Sequence, residues 1–338
     1  MKRLTAIVPC FNEEEVLPLF YKEIMRVAKC MEKEVEFEVL FINDGSADGT
    51  LRVMKELHEK DRRVRYFSFS RNFGKEAAMY CGLEHATGDY VAILDADLQH
   101  PPKMLIDMYE GIVKEGYDCV AARRVSREGE PKVRSFFSRR FYHVLAKLSQ
   151  IEVVEGEVDF RLMTRQMVDA VLQMSERNRF TKGILSWVGF KTKWLPYHNV
   201  ERAAGQTKWS FWKLLRYSME GIIGFSTAPL AISSIIGLIF CLLSFLAIVY
   251  IVIKTLIWGD PTSGWPSLAC MILMVSGIQL FCMGILGQYL GKTYIEVKHR
   301  PIYLVHVSDK EQDQEMRKAD LVVAEFSDAK KSEKISGE

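Results

Sequence analysis

The residues best suited to chemistry are two aspartates spaced one residue apart, Asp95 and Asp97. They end the apolar run Tyr90-Val91-Ala92-Ile93-Leu94 and precede the pair Pro101-Pro102. Such a run reads as a buried strand, and the prolines mark the start of the next helix. Open α/β sheets bind ligands outside the carboxyl ends of their strands, so paired acids there suit a divalent cation and, through it, a phosphate. Asp-x-Asp alone is a common turn sequence, and the assignment depends on its surroundings. Asp44 follows the strand-like stretch Glu36 to Ile42 in Asn43-Asp44-Gly45-Ser46, where a carboxylate at a strand tip could accept hydrogen bonds from a ribose or base. Asp159 is a lone acid within Val158-Asp159-Phe160-Arg161-Leu162-Met163. A buried carboxylate is costly unless paired or used, and Arg161 or Arg123 could pair with it. Arg71 and Lys75, just ahead of a helix at Glu76 to His85, favour an anion, with ordinary surface charge as the alternative.

These groups require a scaffold that brings strand ends together. Strands at Leu4 to Val8, Glu36 to Ile42, Val64 to Phe69 and Tyr90 to Leu94 alternate with helical segments, which implies a mostly parallel sheet covered on both faces. After the first strand comes Pro9-Cys10-Phe11-Asn12-Glu13-Glu14-Glu15. Asn12 is expected to cap the following helix, with the glutamates at the positive end of its dipole. Pro9 and Glu13 could line a base pocket. No Gly-x-Gly-x-x-Gly follows this strand and no Gly-Lys-Ser/Thr loop occurs, which disfavours a dinucleotide-binding dehydrogenase or a P-loop enzyme. A fifth strand, Asp118 to Arg123, ends in Arg123-Arg124. Arg134 to Leu148 reads either as a basic amphipathic helix on an anionic membrane surface or as a core helix with a solvated basic face. Beyond another strand-like run, Lys191 to Tyr197, the loop Glu201 to Trp209 places Arg202 and Lys208 beside an indole.

The chain of 338 residues is divided in character. No charged residue occurs from Gly221 to Ile253 or from Pro261 to Gly291, and each stretch exceeds the roughly 20 residues that a helix needs to cross a bilayer. Lys208, Lys213 and Arg216 precede the first span, and Lys292, Lys298, His299 and Arg300 follow the second. The positive-inside rule then puts both termini in the cytoplasm. Lys2 and Arg3 lead directly into a strand rather than a signal peptide. A net charge of +2 argues against nucleic acid. The 7 cysteines form no Cys-x-x-Cys pair, so neither a disulfide framework nor a zinc site is expected. Beyond Val307 the charged, aperiodic tail is expected to be disordered.

Taken in order, Val8-Pro9-x-Phe11-Asn12-Glu13-Glu14, Ile42-Asn43-Asp44-Gly45-Ser46, Ser70-Arg71-Asn72-Phe73-Gly74-Lys75, Asp95-Ala96-Asp97-Leu98-Gln99-x-Pro101-Pro102, Asp159-Phe160-Arg161-Leu162 and Arg202-x-x-Gly205-x-Thr207-Lys208-Trp209 resemble a family 2 glycosyltransferase of the polyprenyl-phosphate type, the group of bactoprenol glucosyltransferases and dolichol-phosphate mannose synthases. The resemblance spans Leu4 to about Arg300 and includes the paired spans. It implies an α/β GT-A fold followed by two transmembrane helices. The implied divisions are a cytoplasmic catalytic domain over 1–205, a juxtamembrane segment over 206–225, spans over 226–257 and 265–291, and a cytoplasmic tail over 292–338. Pro9, Phe11, Glu13, Asp44, Lys75, Asp95, Ala96 and Gln99 would bind the nucleotide sugar, and Asp95 and Asp97 would hold Mg²⁺ or Mn²⁺. Asp159 would sit by the anomeric carbon and, with Asp97, serve catalysis; Arg123, Arg202 and Lys208 would meet the acceptor phosphate. Processive polysaccharide synthases share the earlier motifs but carry Gln-x-x-Arg-Trp and more spans, and neither feature is present.

The implied reaction passes a hexose, UDP-linked by family default, to a polyprenyl phosphate in the bilayer with inversion. The acceptor's second ionisation lies near a pH of about 6, so it needs little deprotonation, and Asp159 could orient groups or stabilise positive charge instead of acting as a base. Homo-oligomerisation is left open, and two spans are too few for an obvious lipid path, which leaves product flipping to a separate protein. A transferase with a glycan or protein acceptor, or a silent membrane nucleotide-sugar-binding scaffold, are the competing expectations.

Overall fold

The computed structural model describes residues 1–125, 154, 156–197, 228–258 and 264–314. Alternating elements build the first half: β1 (Lys2–Cys10), α1 (Leu17–Met31), β2 (Val35–Asn43), α2 (Thr50–Lys60), β3 (Val64–Phe69), α3 (Lys75–His85), β4 (Tyr90–Ile93), α4 (Met104–Val113) and β5 (Cys119–Arg124). Then follow β6 (Glu157–Thr164), α5 (Arg165–Gln173), α6 (Thr181–Trp187), β7 (Thr192–Tyr197), two long helices, α7 (Ala228–Trp258) and α8 (Trp265–Val297), and a last short strand, β8 (Val305–Ser308).

The eight strands form one sheet in the order β7-β5-β6-β4-β1-β2-β3-β8. β3, β2, β1 and β4 are mutually parallel, as is the β5–β7 pair, whereas β6 runs antiparallel between β4 and β5. Central strands buried on both faces need continuous apolar runs, and Leu4, Ala6, Ile7 and Val8 are fully buried. Leu17, Phe20 and Ile24 of α1, Val53 and Met54 of α2 and Leu105 and Met108 of α4 fill one face. Ala77 and Ala78 of α3, Val168 and Val171 of α5 and Ile184 of α6 fill the other. Gly82 lets α3 lie close to β1, because a Cβ there would stand 2.1 Å from Ile7 Cγ2. Reversal of β6 has a functional effect: its amino-terminal end, with Asp159, lies at the same edge as the carboxyl ends of β1, β2 and β4.

Two sequence expectations are corrected. Asn12 does not cap α1, which begins at Leu17 with Val16 in the cap position and no side-chain cap. Asn12 instead adopts φ 56° and its Oδ1 accepts from Ala47 N at 2.9 Å, while Glu14 accepts from Gly49 N, so this turn is tied to the loop after β2. Nor does order end at Val307. β8 adds antiparallel to β3, and a helical turn at 309–314 follows. Asp309 pairs with Arg65 at 2.8 Å, Gln312 accepts from Tyr66 at 2.5 Å, and Asp313 meets Arg62 and His58. The returning segment covers what would be an open sheet edge.

α7 and α8 include stretches long and apolar enough to cross a bilayer, Pro229–Ala247 and Met274–Val297, of mean hydropathy 2.5 and 1.3. Leu238, Leu242, Phe245, Leu280 and Met283 are all exposed, as befits helices apolar on every side. α8 continues to Val297 rather than stopping at Gly291. The segments 134–148 and 206–225, with their expected amphipathic helices, lie outside the described residues.

Arg65 sits between Glu38 and Asp309, at 3.2 and 2.8 Å, with all three side chains largely buried. Removing one partner of a buried ionic group leaves uncompensated charge and costs about 3–5 kcal/mol. Arg65→Ala is therefore expected to lower the Tm of the detergent-solubilised protein by several degrees, and an unchanged Tm would mean that the tail segment does not depend on this pairing.

Candidate active site

The turn after β1, the tip of β2, the loop before α3 and the tip of β4 enclose a cleft of about 380 Å³. Pro9, Phe11, Glu13, Asp44, Lys75, Asp95, Ala96 and Asp97 line it, together with Cys10, Asn72, Gly74 and Ala78. A larger cavity of about 510 Å³ lies at the opposite end of β1 and β2, but its walls carry exposed ion pairs such as Arg3–Glu36 rather than converging acids. The cleft at the carboxyl edge is where the sheet gathers its chemistry.

Asp44 is almost fully buried. Its Oδ1 accepts from Phe73 N at 2.6 Å and Gly74 N at 3.1 Å, and Oδ2 accepts from Gly74 N at 3.0 Å. Burial raises its pKa, although these N–H groups oppose the rise. Asp44 thus fixes the loop that delivers Lys75. Gly45 makes the close approach possible: it has φ 65° and a Cβ there would lie 2.3 Å from the Arg71 carbonyl carbon.

Lys75 opens α3 and its Nζ lies 2.5 Å from Asp95 Oδ1 and 2.5 Å from Asp159 Oδ2. The backbone register explains this meeting. β4 pairs with β6 as far as Ile93 opposite Arg161, and just beyond that last pair Asp95 and Asp159 converge on one ammonium. Two carboxylates face to face demand a cation. Lys182, in the first turn of α6, adds a second ammonium 3.7 Å from Asp159 Oδ1 and donates to Glu157 O at 3.1 Å. Burial disfavours ionised Asp95, yet the Lys75 ammonium outweighs it and holds the pKa at about 2. Asp159 is held well below the usual carboxylate range because Lys75 and Lys182 overcome its burial. Against the desolvation that would lower it, the two carboxylates raise the Lys75 pKa. Of the two arginines that the sequence offered as partners for the Asp159 carboxylate, Arg161 sends its guanidinium to Glu157 at 2.8 Å in a buried pair and touches Asp159 through its backbone carbonyl.

Asp97 turns back on its own loop, with Oδ1 accepting from Gln99 N at 3.1 Å. The intervening Leu98 has φ 56°, a left-handed conformation that costs a side chain with a Cβ about 1–2 kcal/mol. His100, missed as a site residue in the sequence, lies buried with Nε2 3.7 Å from Asp95 Oδ2. It stacks on Phe160 at 6.0 Å and meets the Tyr197 ring edge-on at 5.1 Å. His100 Nδ1 and the Tyr197 hydroxyl are buried with no hydrogen-bond partner among the described residues. Lys182 was equally hidden, since its stretch Arg179-Phe180-Thr181-Lys182-Gly183 carries no sign of distant pairing with Asp159. Arg123 lies exposed at the end of β5, in register with Glu157 and apart from the cleft lining. Arg202 and Lys208 lie outside the described residues.

Among the described residues no group of three or more His, Cys, Asp or Glu could enclose a metal. The donor set fits a hard cation of another kind, one held by one or two carboxylates and completed by substrate phosphates and water. Asp95 and Asp97 line the cleft and offer oxygen donors only.

Residues 5–172 match the family model described as Glycosyl transferase family 2. The chain is 42% identical over 303 residues to a prophage bactoprenol glucosyl transferase homolog of Escherichia coli, covering 90% of this chain and 98% of that one. It is 42% identical over 308 residues to the bactoprenol glucosyl transferase of Shigella phage SfII, covering 91% and 99%. A putative glycosyltransferase of Bacillus subtilis, CsbB, is 41% identical over 302 residues, covering 89% and 91%. Among solved structures, glucosyl-3-phosphoglycerate synthase from Mycobacterium tuberculosis, in complex with Mn²⁺, UDP-glucose and phosphoglyceric acid, gives a TM-score of 0.42 at 17% identity over 66% of this chain and 78% of that one. The chain belongs to glycosyltransferase family 2, as an enzyme with a GT-A sheet and two candidate membrane-spanning helices.

The carboxylate pair yields a pH prediction. Asp95 and Asp159 have lowered pKa values, so their stabilisation is complete above the unfolded value of about 4 and is lost only as pH falls through the folded values. In Lys75→Met the acids face each other without their shared cation, and one of them takes up a proton more readily. Wild-type Tm should stay flat in this respect between about pH 7 and pH 5, while the variant gains stability on acidification over that window. Parallel Tm profiles would contradict the pairing.

Proposed function

We propose that this chain transfers a hexose from a nucleoside-diphosphate sugar, with uridine as the nucleotide, to a polyprenyl phosphate at the cytoplasmic membrane face, inverting the anomeric carbon. One observation carries this reading. Asp44, Asp95, Asp97 and Asp159 gather from β2, β4 and β6 at one edge of a sheet whose chain continues into two apolar helices of bilayer length. The names of the bactoprenol glucosyl transferase relatives support the acceptor, and uridine rests on the family resemblance.

In this reading Pro9, Phe11, Glu13, Asp44, Ala96 and Gln99 bind the nucleotide sugar. Asp95 and Asp97 hold Mg²⁺ or Mn²⁺, and that cation, when bound, offsets charge on the departing diphosphate. The remaining work falls to side chains. The acceptor phosphate is already largely a dianion at neutral pH, its second ionisation lying near about pH 6. Asp159, held far below the usual carboxylate range, is a poor proton acceptor. It suits a fixed negative charge that orients Lys75 and Lys182 and faces the positive charge developing at the anomeric carbon. Arg123, Arg202 and Lys208 draw the lipid phosphate from the headgroup layer. The lysines and arginines around the spans keep the catalytic domain and both termini on the cytoplasmic side. Translocation of the product belongs to a separate protein.

Purified protein in lipid with Mg²⁺ or Mn²⁺, UDP-glucose and a polyprenyl phosphate should give a chloroform-soluble product heavier by one hexose. A product confined to the aqueous phase would favour a glycan or protein acceptor instead. Asp159→Asn is expected to lower turnover by about 10²–10³-fold while retaining donor affinity. Asp97→Ala should abolish the metal-dependent part of UDP binding, so titration calorimetry with and without chelator would give one affinity. A metal response retained in that variant would remove Asp97 from the cation site.

A further inference from the structure

Near the carboxyl end of α8 a carboxylate meets the catalytic domain. Glu296, one residue before the end of the helix, accepts from Arg177 N at 2.9 Å through Oε1 and 3.2 Å through Oε2, and from Asn178 N at 3.0 Å. Arg177 answers with Nε donating to Arg300 O at 2.7 Å, and its Nη1 stands 3.8 Å from Glu296 Oε2. Two consecutive backbone N–H groups turned onto one anion form a defined seat rather than a mobile surface ion pair. The loop that holds this seat, 174–180, is itself stiffened. Arg179 is buried, donates to Met174 O at 2.5 Å and lies 4.4 Å from the Tyr80 ring centroid on α3.

From this loop the chain enters α6 directly. Thr181 N donates to Glu76 Oε2 at 2.9 Å, and its hydroxyl donates to the same oxygen. The adjacent Lys182 reaches Glu157 O and Asp159. A short anchored piece of chain therefore joins the end of a bilayer-length apolar helix to the Asp159 cluster, with only 179–181 between the Glu296 seat and Lys182. Glu296 lies one residue before the end of the apolar stretch Met274–Val297, past the uncharged run that closes at Gly291.

We infer that Glu296 is a positioning residue: it ties the second apolar helix to the loop that leads into α6 and Lys182, and so sets the reaction centre at the height of a phosphate held in the headgroup layer. The inference rests on the proposed transfer to a membrane lipid for its kinetic consequence, but the mechanical link does not. A misplaced centre penalises an acceptor whose own depth is fixed by the bilayer. It matters less for one that diffuses freely to the site.

Full-length wild type, Glu296→Ala and Glu296→Gln in lipid nanodiscs would be compared in two ways. Hydrogen exchange should rise in Glu296→Ala at Arg177 and Asn178 and also through α6, and unchanged exchange in α6 would overturn the link. For transfer, KM for a long-chain polyprenyl phosphate in the bilayer is expected to rise by about tenfold or more in Glu296→Ala. KM for a water-soluble short-chain isoprenyl phosphate and donor affinity should change by less than about twofold, as for an independent site. Glu296→Gln keeps one acceptor oxygen for the two N–H groups and should recover part of the loss. Equal losses for both acceptors, or lost donor binding, would assign Glu296 a merely structural role. A wild type inactive on both acceptors would overturn the functional reading, and the exchange comparison would still decide the coupling.

Discussion

The constraint on which this structure depends is the meeting of Asp95, just past the end of β4, and Asp159 of β6 at the ammonium of Lys75. Two carboxylates at adjoining strand ends repel each other, and the fold accepts them only because a lysine is aimed between them. The aim is built from several directions. Asp44 grips the backbone at Phe73 and Gly74, so that α3 begins at a fixed point with Lys75 in its first position. Gly82 lets α3 settle against β1, and Glu76 anchors the start of α6, which brings Lys182 to the other side of Asp159. The electrostatic cluster and the packing of helix on sheet are thus one device.

That device bears on the chemistry of a sugar-transferring enzyme. A carboxylate flanked by two ammonium groups stays ionised throughout the physiological range, which makes it a steady source of negative potential and a weak base. The transfer proposed above, whose nucleophile is already an anion, asks for that kind of group. The left-handed backbone at Leu98 and the buried His100, 3.7 Å from Asp95, lie beside the same aspartates. Site regions of folded proteins tolerate such costs where surrounding structure holds them in place.

Much of this arrangement was legible in the amino-acid order. The first four strands announce themselves because strands buried on both faces must be continuously apolar, and their tips carry Asp44, Asp95 and Asp97 into the loops where ligands bind. The partners of Asp159 were not legible. Local order offered Arg161, only two residues away, but in a strand that side chain shares its face with Glu157 and Asp159, and the buried guanidinium settled on Glu157. Lys75 and Lys182 arrive at the starts of α3 and α6, and their meeting with Asp159 is a product of tertiary packing. Asn12 misled for a related reason: a residue preferred at helix caps was used instead to bind the neighbouring loop. Four residues at Val305–Ser308 are too few to show a period, so the last strand was invisible without β3 beside it.

The origin of that last strand has a consequence for biogenesis. β8 and the turn at 309–314 are encoded after both apolar helices, yet they complete the edge of a sheet whose other strands are encoded before them. During translation the globular portion must wait, with β3 unpaired along one side, until the ribosome has passed the second hydrophobic helix. Only then does the segment carrying Tyr303, Asp309 and Gln312 become available to close it. In the proposed topology, a polypeptide whose final helix inserted in the wrong orientation would carry this strand to the far side of the bilayer and leave the sheet unfinished. Correct insertion is thereby a precondition for a finished catalytic unit.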